Sequence, residues 1–262
     1  MTRWLVKLAG NESDLDALVK LNTEPDFRVT NKDEAYYLTC VEFDQMQEAA
    51  EVYAATKDAL LPDINGLMQL RNADSQSVSV DCVVQQNADG SQTTARYLFG
   101  TARIVASAGL TAEAVVIGPD GTVVPSPEPA NFQARRKLAR KHAEVRQALA
   151  YWFACDATAP DFWVNAYKVF EVIRGDIAGG RGKGQGTEEM KRRGWAMQDE
   201  IRSFKESANN HAISGDKARH ASTQPLEPGI APLHEGEALA LIKRMLECWL
   251  DWKIARSGND TP

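Results

Sequence analysis

Along the first half of the chain, apolar and polar residues alternate in short runs separated by turns; along the second half they recur at helical intervals. Residues 4–8 (WLVKL) and 36–41 (YYLTCV) read as strands. Between them NESDLDALVKL, residues 11–21, offers a capping Asn and sets Leu15, Leu18 and Val19 on one side of a helix. A longer helix is expected over 43–60, with Met46, Ala49, Ala50, Tyr53 and Leu60 near one face. Residues 78–86 alternate as a strand, NADG at 87–90 suits a hairpin turn, and 95–106 returns as the partner strand. Residues 112–117 add a further strand, and PDG at 119–121 turns the chain into Val123 and Val124. The pattern predicts an α+β domain with an antiparallel sheet.

GPDGTVVPSPEPANF, residues 118–132, interrupts this pattern with four prolines and two glycines. We therefore expect two domains, 1–125 and 131–256, the second an all-α bundle. Its first helix, 132–154, carries Leu138, His142, Val145, Leu149 and Trp152 at helical spacing. Asp161 caps the second, where Phe162, Ala166, Val169, Phe170 and Ile173 recur. The third spans 187–207 with Met190, Met197, Ile201 and Phe204 inward. The last, 235–255, has one stripe of Leu239, Ile242, Leu246 and Trp249 and another of Leu241, Met245, Cys248 and Trp252. So wide an apolar face predicts burial on more than one side, at a bundle centre or against a partner.

Composition changes this picture little. With 44% hydrophobic and 25% charged residues the chain has ample core, and a net charge of −6 argues against blanket nucleic-acid binding while allowing a local basic patch. No apolar run is long enough to span a bilayer. The start, MTRWLVKLAGNESD, lacks the apolar centre of a secretion signal, so the expectation is a cytoplasmic protein without a membrane partner. Cys40, Cys82, Cys155 and Cys248 are far apart with no Cys-x-x-Cys pair, which predicts core thiols rather than a zinc site or disulfides.

Four stretches invite a chemical reading. GGRGKGQG, residues 179–186, lacks the Lys-Ser/Thr end of a phosphate loop and follows a helix, so it reads as a flexible interhelical loop. ARRKLARKH, residues 134–142, is basic at the start of a helix, but no aromatic residues interleave to stack bases, and a solvated face is the simpler account. His142 lies on an apolar stripe, and His234 sits at the edge of the last helix beside Glu235 and Glu237. SANNHAISGDKARHAS, residues 207–222, is the richest, with Asn209, Asn210, His211, Asp216, Arg219 and His220 in one polar run. Asn209 and Asn210 can close a helix, Ser214-Gly215-Asp216 can turn, and Arg219 needs an acid such as Asp216, Glu171 or Asp176. This run is either a polar network that fastens a loop or a site in which an imidazole and a guanidinium act on a phosphodiester.

The second half resembles the HEPN (higher eukaryote and prokaryote nucleotide-binding) class, and more closely a group of bacterial HEPN-like proteins. The resemblance is carried by NAYKVFEVIRGDIAGG (165–180), EIRSFKESANN (200–210), SGDKARHAS (214–222) and EALALIKRMLECWL (237–250), and nothing before residue 130 takes part. It implies a helical bundle, a polar pocket near Arg219 and His220, and a homodimer through the C-terminal helices. Many HEPN domains are metal-independent ribonucleases with an Arg and a His spaced a few residues apart; others bind nucleotides or act as non-catalytic partners. Here Arg219 and His220 are adjacent, and Arg202 lies too far before His211, which departs from the nuclease spacing. The expectation is a ligand-sensing, non-enzymatic protein that binds a nucleotide, RNA or protein partner around Arg219 and His220. Asn209, Asn210, His211, Asp216 and Lys168 would contribute to binding, without cofactor or metal. The alternative is a metal-independent endoribonuclease of a defence or toxin system, with Arg219 and His220 acting across a dimer and Glu171 orienting Arg219.

Overall fold

Strand β1 (Arg3–Ala9) buries Trp4, Val6 and Leu8 and leaves the residues between them more exposed, as one covered sheet face requires. The computed structural model describes residues 3–87, 91–96, 128–180, 182–221 and 229–257. The chain divides into two units, Met1–Arg136 and Lys137–Pro262, and the division falls inside a helix rather than in the Pro/Gly segment, most of which lies outside the described residues.

In the first unit, Asn11 caps α1 (Glu12–Leu21) by accepting the Ser13 amide at 2.9 Å. The sheet also holds β2 (Thr23–Glu24), β3 (Phe27–Lys32), β4 (Ala35–Cys40), β5 (Ser79–Gln86) and β6 (Gln92–Ala95). Its order is β2-β3-β4-β1-β5-β6, and neighbours are antiparallel. The β3–β4 hairpin was not anticipated, because its turn uses Asp33 and Glu34 at φ 52° and 60° in place of the usual glycine. The strands expected at 95–106 and 112–117 lie outside the described residues beyond β6.

The helix expected over 43–60 is displaced. Val41–Gln45 forms a 3₁₀ turn, and α2 (Ala49–Ala55) starts where Glu48 and Glu51 make a reciprocal cap. It runs through a π turn, Thr56–Leu60, into α3 (Leu61–Arg71). The Leu61 amide donates to the Thr56 carbonyl, so the ladder has widened by one residue just before Pro62. Pro62 follows at once, and having no N–H it cannot continue the backbone ladder at that point. Farther along, buried Asn65 meets the Val78 backbone twice, donating to its carbonyl at 3.0 Å and accepting its amide at 2.8 Å.

From Glu128 onward the described elements are all helical. The helix expected over 132–154 is two helices, α4 (Glu128–Lys141) and α5 (Ala143–Phe153), because His142 is extended at φ −123° and ψ 111°. His142 is therefore a hinge residue facing Glu144 at 3.3 Å, not part of an apolar stripe. Helix α6 (Phe162–Ala178) starts after Asp161, whose carboxylate takes the Asn165 side-chain amide at 3.0 Å instead of capping a backbone amide.

The single helix expected over 187–207 is also split, into α7 (Lys183–Arg192) and α8 (Gln198–Asn209). Gly194 at φ 71° ends α7; its amide donates to the Lys191 carbonyl at 2.9 Å and the Trp195 amide to Met190 at 3.0 Å, a Schellman closure. A short α9 (His211–Ser214) follows, then α10 (Glu235–Ser257). Helix α6 packs against α5, α7, α8 and α10, and Phe204 of α8 lies 5.7–6.0 Å from the rings of Trp163, Tyr167 and Phe170. On α10, Leu241, Ile242, Met245, Leu246, Trp249 and Leu250 are all buried. Among the described residues the exposed large hydrophobic side chains are Val41 and Met197, neither of them on α10.

Of the glycine-rich stretch expected to be a flexible loop, Gly179, Gly180 and Gly182 do lie between α6 and α7 at positive φ, while residues 183–186 already form the start of α7. A Cβ on Gly186 would lie 2.1 Å from the Arg174 carbonyl oxygen, so α7 approaches α6 where only glycine fits. Beneath α10, Lys253 is buried between Glu144 at 2.8 Å and Asp176 at 3.0 Å, and Trp249 Nε1 donates to Asp176 at 2.8 Å. Burial pushes the Glu144 carboxyl up, but the Lys253 hydrogen bond, a backbone bond and the charges of Lys253 and His142 outweigh it and hold it at about 2. No helix among the described residues is long and apolar enough to cross a membrane. Cys40, Cys82, Cys155 and Cys248 are not joined in disulfides, and the first three are buried.

Two predictions follow the packing. Gly186→Ala gains about 1 kcal/mol of helix propensity but must push α7 off α6, at about 1–3 kcal/mol or more, so its melting temperature falls. Gly175→Ala on α6, where an added Cβ meets nothing within 4 Å, raises it. The Glu144 carboxylate is favoured in the folded state, so its contribution is full above pH 4.5 and fades as pH falls through about 2. Acid unfolding of Glu144→Gln, followed by circular dichroism, should show lower stability at neutral pH and a shallower loss across that window.

Candidate functional site

Helix α6 presents Tyr167, Glu171 and Arg174 on one side, three to four residues apart, and α8 presents Lys205 and Asn209 beside it. The chain after α8 returns over this surface. Buried Asn210 caps α9 by accepting the Ala212 amide at 3.0 Å, and the Ser214 hydroxyl donates to the Ser207 carbonyl. Ser207 in turn accepts the Leu233 amide at 2.8 Å, and Lys217 reaches the Ala157 carbonyl and Glu235 at 3.3 Å each. The Arg219 amide then donates to the Ala208 carbonyl at 2.8 Å, which fixes where its side chain begins.

From there the Arg219 guanidinium lies 4.0 Å from the centre of the Tyr167 ring. Its Nη1 donates to Asn209 Oδ1 at 3.1 Å, and its Nη2 stands 3.9 Å from Glu171 Oε2. The other Glu171 oxygen, Oε1, is 3.4 Å from Arg174 Nη2. Glu171 thus sits between two guanidinium groups at loose distances. Asn209 Nδ2 donates to the Lys205 carbonyl at 2.8 Å, and the Lys205 ammonium lies 5.5 Å from the centre of the Phe170 ring, a ring that Arg174 also faces at 5.2 Å. Burial, with the charges of Arg174 and Lys191 behind it, pushes the Lys205 ammonium below its ordinary pKa. Among the described residues, Glu171 is the one carboxylate in ion-pair contact with Arg174, Lys205 or Arg219.

Of the residues singled out in the sequence, the fold brings together Arg219, Glu171 and Asn209. The acid that Arg219 finds is Glu171; Asp176 is taken by Lys253 and Trp249, and Asp216 by His211, whose Nε2 is 3.3 Å away. Asn210 serves as a cap. Lys168 turns toward α5, 4.9 Å from the centre of the Tyr151 ring, away from this cluster. His220 is exposed, with no hydrogen-bond partner among the described residues. Tyr167, Arg174 and Lys205 were missed, although each lies three or four positions along a helix from Glu171 or Asn209, a spacing that would have found them.

The first unit contains an open cavity of about 820 Å³ lined by Arg3, Trp4, Cys40, Asp44 and Gln85, among others. It gathers no set of titratable groups comparable to that around Glu171, so chemistry rather than volume locates the site. No group of three His, Cys, Asp or Glu side chains that could hold a metal ion occurs among the described residues. Comparison with known proteins finds no family model that matches the chain, and no curated protein or solved structure similar to it.

Proposed function

We propose that the C-terminal helical unit is a HEPN-like binding domain that takes the phosphate of a nucleotide or RNA at the face formed by α6, α8 and residues 215–221, without cleaving it. One observation supports this most: Arg174 and Arg219 share the single carboxylate of Glu171, and Lys205 lies against the Phe170 ring that Arg174 also faces. A partly buried excess of positive charge is costly unless an anion balances it, and phosphate suits guanidinium groups in both charge and geometry. The neighbouring rings are already covered, Tyr167 by Arg219 and Phe170 by Arg174 and Lys205, so the face recognises charge rather than stacking a base.

Catalysis is disfavoured by the same geometry. A general base must be held on its target, usually by a third group. Exposed His220 has no such partner among the described residues, while Arg219 is committed to Tyr167, Asn209 and Glu171.

The test titrates a 3′-labelled oligoribonucleotide and, separately, free nucleoside triphosphate, following anisotropy and thermal shift over a salt series. Binding should weaken with salt, and Arg219→Gln, checked for folding by circular dichroism, should cost about ten- to a hundredfold, near the 1.5–3 kcal/mol of one charged hydrogen bond. No binding of either probe at low salt would overturn the proposal. RNA incubated in chelator should stay intact; cleavage lost in His220→Ala would move the protein to the ribonuclease reading.

A further inference from the structure

Arg174 is 7% exposed, and its Nε carries a proton with no acceptor among the described groups. Nε and Nη2 lie on the same edge of a guanidinium, the edge that a carboxylate or phosphate grips with two oxygens. Glu171 fills only half of that edge, touching Nη2 at 3.4 Å. Its other oxygen is drawn to Arg219, 3.9 Å away, so it cannot serve both guanidinium groups well. Lys205 adds a third positive charge with no carboxylate within 4.0 Å among the described residues. Set against Glu171, the three cations leave an excess of two positive charges.

We infer that this cluster is a subsite for a terminal phosphate monoester, seated between Arg174 and Lys205 in the place of the Glu171 carboxylate, which swings out as the ligand enters. The inference rests on the phosphate-binding reading above and narrows it. A monoester near neutral pH approaches two negative charges and presents three acceptor oxygens. It neutralises the excess, completes the Nε–Nη2 edge of Arg174 and still reaches Lys205. An internal diester carries one charge and exposes two free oxygens, so it leaves part of the excess unbalanced. Glu171 keeps Arg174 and Arg219 partly neutralised while the subsite is empty, and its partly exposed side chain can leave by rotating its own torsions. Tyr167, Phe170 and Asn209 hold the cations in place throughout.

The experiment compares two 3′-labelled oligoribonucleotides of one sequence, bearing a 5′-phosphate or a 5′-hydroxyl, with the full-length protein. The 5′-phosphate form should bind at least several-fold more tightly, and inorganic pyrophosphate should compete for that advantage. Glu171→Gln should tighten the 5′-phosphate form several-fold, because it removes the competing carboxylate. A carboxylate that only supported the fold would give weaker binding in the same variant. Lys205→Met, which keeps the alkyl stem over Phe170, should erase the difference between the two RNAs, with folding confirmed by melting temperature. Equal affinity for the two RNAs, or weaker binding in Glu171→Gln, would overturn the subsite and leave the broader phosphate reading standing. Failure of both RNAs to bind would remove both.

Discussion

The carbonyl of Arg174 stands where a side chain on residue 186 would begin, and the placement of α7 against α6 depends on that vacancy. The close approach buries the Arg174 side chain. A guanidinium removed from water needs partners, and here it has one carboxylate oxygen at a long distance and a ring face. Lys205 is lowered in pKa chiefly by its own burial, with the like charges of Arg174 and Lys191 adding to it. An absent methyl group on one helix thus sets the electrostatics of the next.

The charge cluster differs in kind from the buried network around Lys253. There, one ammonium donates to two carboxylates, one of which also accepts an indole N–H, and every charge is answered at hydrogen-bond distance. Such a network fastens α10 to α5 and α6. Around Glu171 the balance is reversed and the distances are longer. Tight, satisfied ionic groups are what a fold uses to hold itself; loose and unbalanced ones are what it can offer to a ligand.

Much of the fold was legible because period-2 and period-3.6 patterns are written by burial, and burial dominates. Strands β1, β4 and β5, helices α1 and α10, and the change from mixed to helical structure all followed from that signal. The errors share a cause. His142 and Gly194 each interrupt a helix whose apolar spacing runs on across the break, and spacing alone cannot reveal a backbone turn. The β3–β4 turn hid because Asp33 and Glu34 adopt positive φ without glycine. At the site, that Arg219 needs an acid could be read because a guanidinium in a folded polar loop demands one, but Glu171 was then only one of three candidates beside Asp216 and Asp176. Arg174 and Lys205 could not be read from charge alone, since on a linear sequence they look like any solvated cation; their helical spacing from Glu171 and Asn209 was the one signal that pointed to them.

The widened turn at Thr56–Leu60 has a consequence for the face of α3 that carries Asn65. Each residue advances a helix by about 100°, so one additional residue per turn re-phases every side chain beyond it. Asn65 clasps the Val78 backbone, and thus β5's starting point, only in that shifted phase. A chain shorter by one residue at this point would spell an unbroken α-helix yet swing the amide of Asn65 roughly a quarter-turn off its target. The irregular turn therefore works as an angular spacer that sets where the next strand starts.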